Sequence, residues 1–343
     1  MEYRTLGKSD IKVSSLCLGT MTWGEQNSQK EAFQQLDCAT EYGINFIDTA
    51  ELYPVPPQAD TYTKTETILG RWLKQRGSHD NLIIASKVAG PGPEHIDGGR
   101  LLNRSHIERA VEGSLSRLGV EAIDLYQLHW PDRNTNFFGK LGYDHQEGFD
   151  GTPIKETLEV LDDLVKAGKI KHYGLSNETP WGTMRHLTLS EAMNTPRAAS
   201  IQNPYNLLNR TFEVGLAEIA HREQLGLLAY SPMAFGALSG KYLNGQKPEK
   251  GRLTLYKRFS RYGNPQAISA TEQYVKIAHN AGLNPAQMAL AFVTSRPFVT
   301  SNIIGATTME QLKSNLNSSA LTLSDDILAA INKVHTHQPN PSP

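Results

Sequence analysis

The feature that most restricts this chain is a regular alternation of short apolar runs with amphipathic stretches of helical period. Strand-like runs fall at Leu16–Leu18, Asn45–Asp48, Leu82–Ser86, Ala122–Leu128, Ile170–Leu175, Ala199–Gln202, Leu225–Tyr230 and Val299–Ile304. Between them the spacing predicts helices over Lys30–Tyr42, Thr65–Lys74, Ser105–Leu118, Ile154–Ala167, Pro180–Ser190, Phe212–Glu223, Ala267–Ala281 and Pro285–Ser295. Two more are expected after the last strand, over Met309–Ser318 and from a Ser324 cap to near His335. Continuous apolar strands separated by helices argue for a parallel sheet covered by helices. Eight such strands favour closure into a (β/α)8 TIM barrel over an open doubly wound sheet. The 343 residues suit that architecture as one domain spanning 1–343. Tyr3–Leu6 and Ile11–Ser14 flank the turn sequence G-K-S-D and read as a hairpin. Ser105 and Glu108 stand at capping-box spacing. Two long insertions, Trp130–Pro153 and Ser231–Pro265, interrupt the alternation, and the Pro-rich tail reads as loose.

In such a barrel reactive groups lie in the loops after the strands. Asp48 closes F-I-D, Tyr53 follows it in the loop, Lys87 closes L-I-I-A-S-K, and His129 closes I-D-L-Y-Q-L-H. Lysine is a poor residue to bury, so an apolar strand running into one calls for a reason. A phenol titrates near 10 and is a reluctant acid at neutral pH. An ammonium about 4 Å away favours the phenolate by roughly 4 kcal/mol at an effective dielectric near 20. That lowers the phenol pKa by at most about 3, with desolvation working the other way. Asp48 would keep Lys87 charged, and His129 would donate a hydrogen bond to a substrate oxygen. Taken singly, Asp48 reads as a turn cap, Tyr53 as loop packing, Lys87 as half of a surface pair and His129 as a core histidine. Their coincidence at strand ends points instead to an acid site that protonates a carbonyl oxygen. The chain shows no nucleophile with its own base, no G-x-S-x-G and no H-E-x-x-H. Tyrosine, lysine and histidine supply no hydride, so the electrons must come from a bound cofactor.

The totals exclude other classes. A formal net charge of -1 gives no global field toward nucleic acid or an anionic membrane. The start, M-E-Y-R-T-L-G, has no apolar signal region, and no apolar run is long enough to span a bilayer. Cys17 and Cys38 lie in apolar segments and read as buried thiols suited to a reducing cytoplasm. His335 and His337 read as solvated, and no metal site is expected.

At D-T-A-E-L-Y, I-I-A-S-K and D-L-Y-Q-L-H-W the chain resembles the aldo-keto reductases, and the likeness runs from Arg4 to about Val334. G-L-S-N, I-Q-N-P-Y-N and L-A-Y-S-P-M match at later strands. The resemblance implies that the hairpin plugs the barrel bottom and that extra helices follow at the C-terminus. It implies that Tyr53 is the general acid, Lys87 its pKa-lowering partner, Asp48 the partner of Lys87, and His129 the substrate-orienting donor. The cofactor would be NADP(H), with NAD possible, and the substrate an aldehyde or ketone. Ser176, Asn177 and Gln202 would hold the carboxamide, Tyr230 would stack on the nicotinamide, and Thr20, Met21 and Asp48 would line that end. Ser231, Pro232, Met233, Gly236 and Leu238 would follow the cofactor's backbone, with Lys241 as a cation and Arg252 at the adenosine 2′-phosphate. Gly305, Thr307, Gln311 and Asn315 would surround the adenine, although Gln311 also stands at capping-box spacing from Thr308. Many relatives place a lysine or arginine at or near Thr307; its absence here weakens strict NADPH use. Loops at Trp23, Pro54–Thr63 and Trp130–Tyr143, with the tail, would shape the substrate pocket; the substrate itself and the oligomeric state are not legible. Two rivals stand beside this reading: a nucleotide-binding regulatory subunit of the channel β-subunit branch, with slow turnover, and a barrel lyase or isomerase. The second needs a phosphate or metal substrate site that the sequence does not offer.

Overall fold

The computed structural model describes residues 1–96, 101–148 and 150–343; position 149 of the expected Trp130–Pro153 insertion lies outside that description. The chain opens on an antiparallel pair, β1 (Tyr3–Thr5) and β2 (Lys12–Ser14), with Arg4 opposite Val13. There follow β3 (Leu16–Gly19), α1 (Gln29–Glu41), β4 (Phe46–Asp48), α2 (Lys64–Arg76), β5 (Ile83–Val88), α3 (Arg104–Leu118) and β6 (Ile123–Leu128). Next are α4 (Ile154–Lys166), β7 (Ile170–Ser176), α5 (Pro180–Met193), β8 (Ser200–Pro204), α6 (Leu216–Arg222) and β9 (Gly226–Tyr230). The last part holds α7 (Arg252–Leu255), α8 (Pro265–Asn280), α9 (Pro285–Thr294), β10 (Val299–Ile304), α10 (Met309–Asn317) and α11 (Asp325–His337). Among the described residues, β3 to β10 form one closed parallel barrel in chain order, β10 returning to β3 with Asn302 opposite Leu16. This is the expected (β/α)8 architecture, hairpin included.

The strands are apolar throughout because both of their faces are buried. Leu18, Ile47, Ile84, Tyr126 and Leu227 belong to the cluster that takes in helix residues Leu36, Leu69, Ile107 and Leu161. Cys17, Phe46, Ala85, Leu125, Leu228 and Ile303 face each other inside the barrel. Each fully buried Leu, Ile or Phe contributes roughly 1.5–3 kcal/mol of transfer free energy. Leu6, Ile11 and Val13 of the hairpin join that inner set, so the hairpin plugs the end where the strands begin. Gly7 makes the fit: its φ is +58°, and a Cβ there would sit 2.2 Å from the carbonyl oxygen of Ala199, just before β8. The opposite end is left for chemistry.

Three local expectations need correction. Helix α3 is not capped by Ser105: Asn103 is the N-cap, its side chain accepting from the His106 N–H, and Ser105 lies inside the helix. The capping box that does form is Ser28 with Glu31 at the start of α1. The expected Phe212–Glu223 helix is split, a 3-10 turn at Thr211–Val214 passing through Gly215 (φ -145°) into α6. The tail is not loose: the Ser342 N–H donates to the Leu208 carbonyl (3.0 Å), and Asn264 donates to the Pro341 carbonyl (2.9 Å). Among the described residues no helix is long and apolar enough to cross a membrane.

Candidate active site

The strand ends open into a cavity of about 1400 Å³. Asp48, the last residue of β4, is 2% exposed and its carboxylate is saturated. Oδ2 accepts from Lys87 Nζ at 2.6 Å, and Oδ1 accepts from Gln202 Nε2 at 2.8 Å and Gln127 Nε2 at 3.0 Å. Lys87, fully buried in β5, also donates to the Thr49 carbonyl (2.7 Å) and to Tyr53 Oη (3.5 Å). Burial disfavours its charged form, but Asp48 and Tyr53 together outweigh it and raise the ammonium above its ordinary value. The buried lysine of the apolar strand is therefore explained by its partners.

The tyrosine corrects the sequence-based expectation. Burial pushes the Tyr53 phenol up, and the Lys87 ammonium offsets only part of this, so the net direction is above the ordinary phenol value. Lys87 Nζ stands 4.9 Å from the centroid of the Tyr53 ring. His129, just past β6, meets Tyr53 edge to face at 5.8 Å between centroids. Burial first, and Lys87 second, hold its pKa well below the ordinary value, so the ring is neutral. Its Nδ1 is buried without a hydrogen-bond partner among the described residues.

A polar lattice continues from Asp48. Gln202 Nε2 also donates to Gln127 Oε1 (3.0 Å). Ser176 Oγ donates to the Gln202 carbonyl (3.0 Å), and Asn177 Nδ2 to the His129 carbonyl (2.9 Å). Tyr230 at the end of β9 donates from Oη to Asn177 Oδ1 at 2.6 Å. Thr20 Oγ1 donates to the Asp48 carbonyl (2.9 Å).

Beyond Tyr230 the chain turns sharply, with positive φ at Ser231 (54°), Ala234 (48°), Phe235 (55°) and Gly236 (89°). Lys241 and Arg252 face the cavity from this segment, and neither has a carboxylate partner among the described residues. Burial lowers the pKa of each, and Arg252 lowers that of Lys241 further. Arg252 lies between the Phe235 and Phe259 rings, its Cζ 5.5 and 5.7 Å from their centroids, with Nη1 donating to Met21 Sδ at 3.5 Å. Two repelling, half-buried cations without an anion fit a phosphate-bearing group. After β10, Thr308 caps α10 by accepting from the Gln311 N–H. Gln311 Oε1 in turn accepts from the Thr307 N–H (3.0 Å), and Asn315 Nδ2 donates to the Gly305 carbonyl (3.1 Å).

Thr20, Met21, Asp48, Tyr53, His129, Ser176, Asn177, Gln202, Tyr230, Ser231, Pro232, Met233, Gly236, Lys241, Arg252, Gly305, Thr307, Gln311 and Asn315 all line this cavity. Leu238 does not: it is 1% exposed, packs in the core, and its N–H donates to the Met233 carbonyl. Trp23 is likewise fully buried, its Nε1 donating to Gln35 Oε1, and is no pocket wall. Lys87 stands behind Tyr53 rather than on the wall. Gln127 escaped the sequence reading, although a glutamine within an apolar strand carries the same signal as Lys87. Phe235, Phe259 and Arg261 also line the cavity, from an insertion whose sequence has no period to read. No cluster of three or more His, Cys, Asp or Glu able to hold a metal occurs among the described residues.

Residues 15–336 match the model of the aldo/keto reductase family. Protein tas of Escherichia coli (strain K12) is 51% identical over 346 residues, covering 100% of both chains. The uncharacterized oxidoreductase YrpG of Bacillus subtilis (strain 168) is 33% identical, over 97% of this chain and 96% of its own. A probable voltage-gated potassium channel subunit beta of Arabidopsis thaliana is 30% identical, over 93% and 91%. With eight strands, a plugged barrel and Asp48, Lys87, Tyr53 and His129 gathered at its mouth, this chain belongs to the aldo/keto reductase family and is an oxidoreductase.

Proposed function

We propose that this protein reduces aldehydes or ketones with NADPH, Tyr53 giving the proton to the carbonyl oxygen. The observation that carries the reading is the buried Lys87 Nζ, 2.6 Å from Asp48 Oδ2 and 3.5 Å from Tyr53 Oη. A nicotinamide dinucleotide held in the cavity would supply the hydride. Ser176, Asn177 and Gln202 would bind its carboxamide, and Tyr230 would support the ring. Lys241 and Arg252 would neutralise its phosphates, and Gly305, Thr307, Gln311 and Asn315 would border the adenine. Arg252 supports the 2′-phosphate form, and the N-terminus of α10 adds positive potential to that end; NADH remains a weaker alternative donor. His129, neutral, donates an N–H to the substrate oxygen and fixes its position. Tyr53 Oη then releases its proton, and Lys87 stabilises the phenolate left behind. Because Asp48 is fully bonded, Lys87 stays charged throughout. The free thiols Cys17 and Cys38 support a cytoplasmic setting.

Tyr53→Phe tests the acid. NADPH oxidation with a panel of small aldehydes is expected to fall by about 10²–10⁴-fold, while NADPH binding, read by fluorescence, persists. Near-wild-type reduction in that variant would remove Tyr53 from the role. The likeness to a channel β-subunit favours a second reading, a redox-sensing regulatory subunit with slow turnover. Single-turnover oxidation of bound NADPH separates the two, since very slow chemistry with every carbonyl supports the sensor.

A further inference from the structure

The cavity also has a wall formed by none of the residues assigned above to the dinucleotide. That wall is a row of rings: Trp130 stands 4.8 Å from His129, Phe138 stands 5.6 Å from Trp130, and Phe137 stands 5.1 Å from Phe138. Leu52 and Pro91 line the same part. The row ends at Gly139, where a Cβ would lie 2.6 Å from Arg261 Nε and equally 2.6 Å from the Pro343 oxygen. Arg261 also lines the cavity. Its Cζ stands 5.9 Å from the centroid of the Tyr262 ring, the hydroxyls of Tyr230 and Tyr262 are its electrostatic neighbours, and no Asp or Glu pairs with it among the described residues. Tyr230 is within electrostatic reach of Tyr53, which ties the guanidinium to the mouth of the barrel. A guanidinium has five N–H donors, and two neutral hydroxyls leave several of them free. An aromatic wall therefore begins at Tyr53 and His129 and ends at a planar cation that no Asp or Glu pairs with among the described residues.

We propose that Arg261 anchors a carboxylate, and that the favoured substrates are aromatic or similarly flat apolar aldehydes and ketones that carry one. The proposal rests on the reductase reading above. The substrate ring lies along Trp130 and Phe138, its carbonyl reaches Tyr53 Oη and His129, and its carboxylate meets the Arg261 fork.

The test compares benzaldehyde with 4-carboxybenzaldehyde, each with NADPH, in wild type, Arg261→Met and Arg261→Lys. Calorimetric binding of benzoate and benzamide is measured on the same three proteins. A charge-assisted pair predicts a kcat/KM ratio of about 10–100 in favour of the carboxylated aldehyde. Arg261→Met collapses that ratio to within about threefold, and Arg261→Lys, which keeps the charge without the fork, retains part of it. A wild-type ratio near one overturns the proposal, as does a high ratio that survives in Arg261→Met. If neither aldehyde turns over but benzoate outbinds benzamide only when Arg261 is present, the anchor stands and the reductase reading fails.

Discussion

Glu51 and Asp48 are three residues apart and equally buried, at 2% exposure, yet their surroundings differ. Asp48 faces an ammonium and two amides. The carboxyl of Glu51 meets only neutral donors, the Ala89 N–H at 2.7 Å and Tyr62 Oη at 2.9 Å. His106 Nε2 lies 3.9 Å away, but burial depresses that ring and its Nε2 is turned to the Ala89 carbonyl. Burial accordingly pushes the Glu51 carboxyl up from 4.5 to about 7, with Glu66 adding to the shift and Arg117 opposing it. Between those two values the folded chain keeps a proton that the unfolded chain releases. Stability from this group is therefore full at low pH, falls as pH rises from about 4.5 to 7, and is level above, a loss of about 3 kcal/mol at most. Glu51→Gln keeps a carbonyl for the Ala89 N–H and an amide for the Tyr62 oxygen without the charge. The variant is expected to gain on wild type in urea unfolding at pH 8 relative to pH 5. Parallel stability curves across that range would show that Glu51 is not the source.

At the scale of elements, the positions of Asp48, Lys87 and His129 were readable because each closes an apolar run, with Tyr53 in the loop after the first. A polar residue closing an apolar run has no solvent-facing alternative in a sheet covered on both sides, so Asp48, Lys87 and His129 announce themselves. Gln127 was open to the same argument and shows how it extends inward along a strand. Arg261 was not, because its contacts cross between two insertions that lack periodicity. The sign of the Tyr53 shift was also hidden, since desolvation depends on a depth that no spacing reports. The α3 cap failed for another reason, although Ser324 caps α11 as expected: Asn103 and Ser105 are both residue types that cap, and only the φ of the entry residue separates them. Asn103 has φ -86° and ψ 169°, the extended geometry of an N-cap, whereas Ser105 already lies in α3. Asn103→Ala should therefore destabilise the protein by about 1 kcal/mol, and Ser105→Ala by much less. Equal losses in chemical denaturation would return the cap to Ser105.

Over the whole molecule, a net charge of -1 conceals how the charges are arranged. Lys241, Lys250, Arg252, Arg258 and Arg261 line the cavity, against Asp48 and Glu310, and Asp48 is already paired with Lys87. The positive field is thus gathered in a low-dielectric cleft while the rest of the chain carries the compensating negative excess, which favours an anionic ligand there over anionic polymers elsewhere. A dinucleotide that binds only the folded chain stabilises it by about 2.7 kcal/mol at a hundredfold excess over Kd. The 2′-phosphate would add charge for Arg252 to meet, since Arg252 already opposes the charge of Lys241 and has no carboxylate partner among the described residues. Arg252→Ala should therefore weaken NADPH by about 10–100-fold and NADH by far less. Raising salt from about 0.05 to 0.5 M should narrow the NADPH advantage in wild type, because part of the cleft is open to screening ions. Paired titrations of both nucleotides against both proteins read these effects directly. Equal losses for NADPH and NADH would mean that Arg252 supports the cavity wall, through its packing on Phe235 and Phe259, rather than the phosphate.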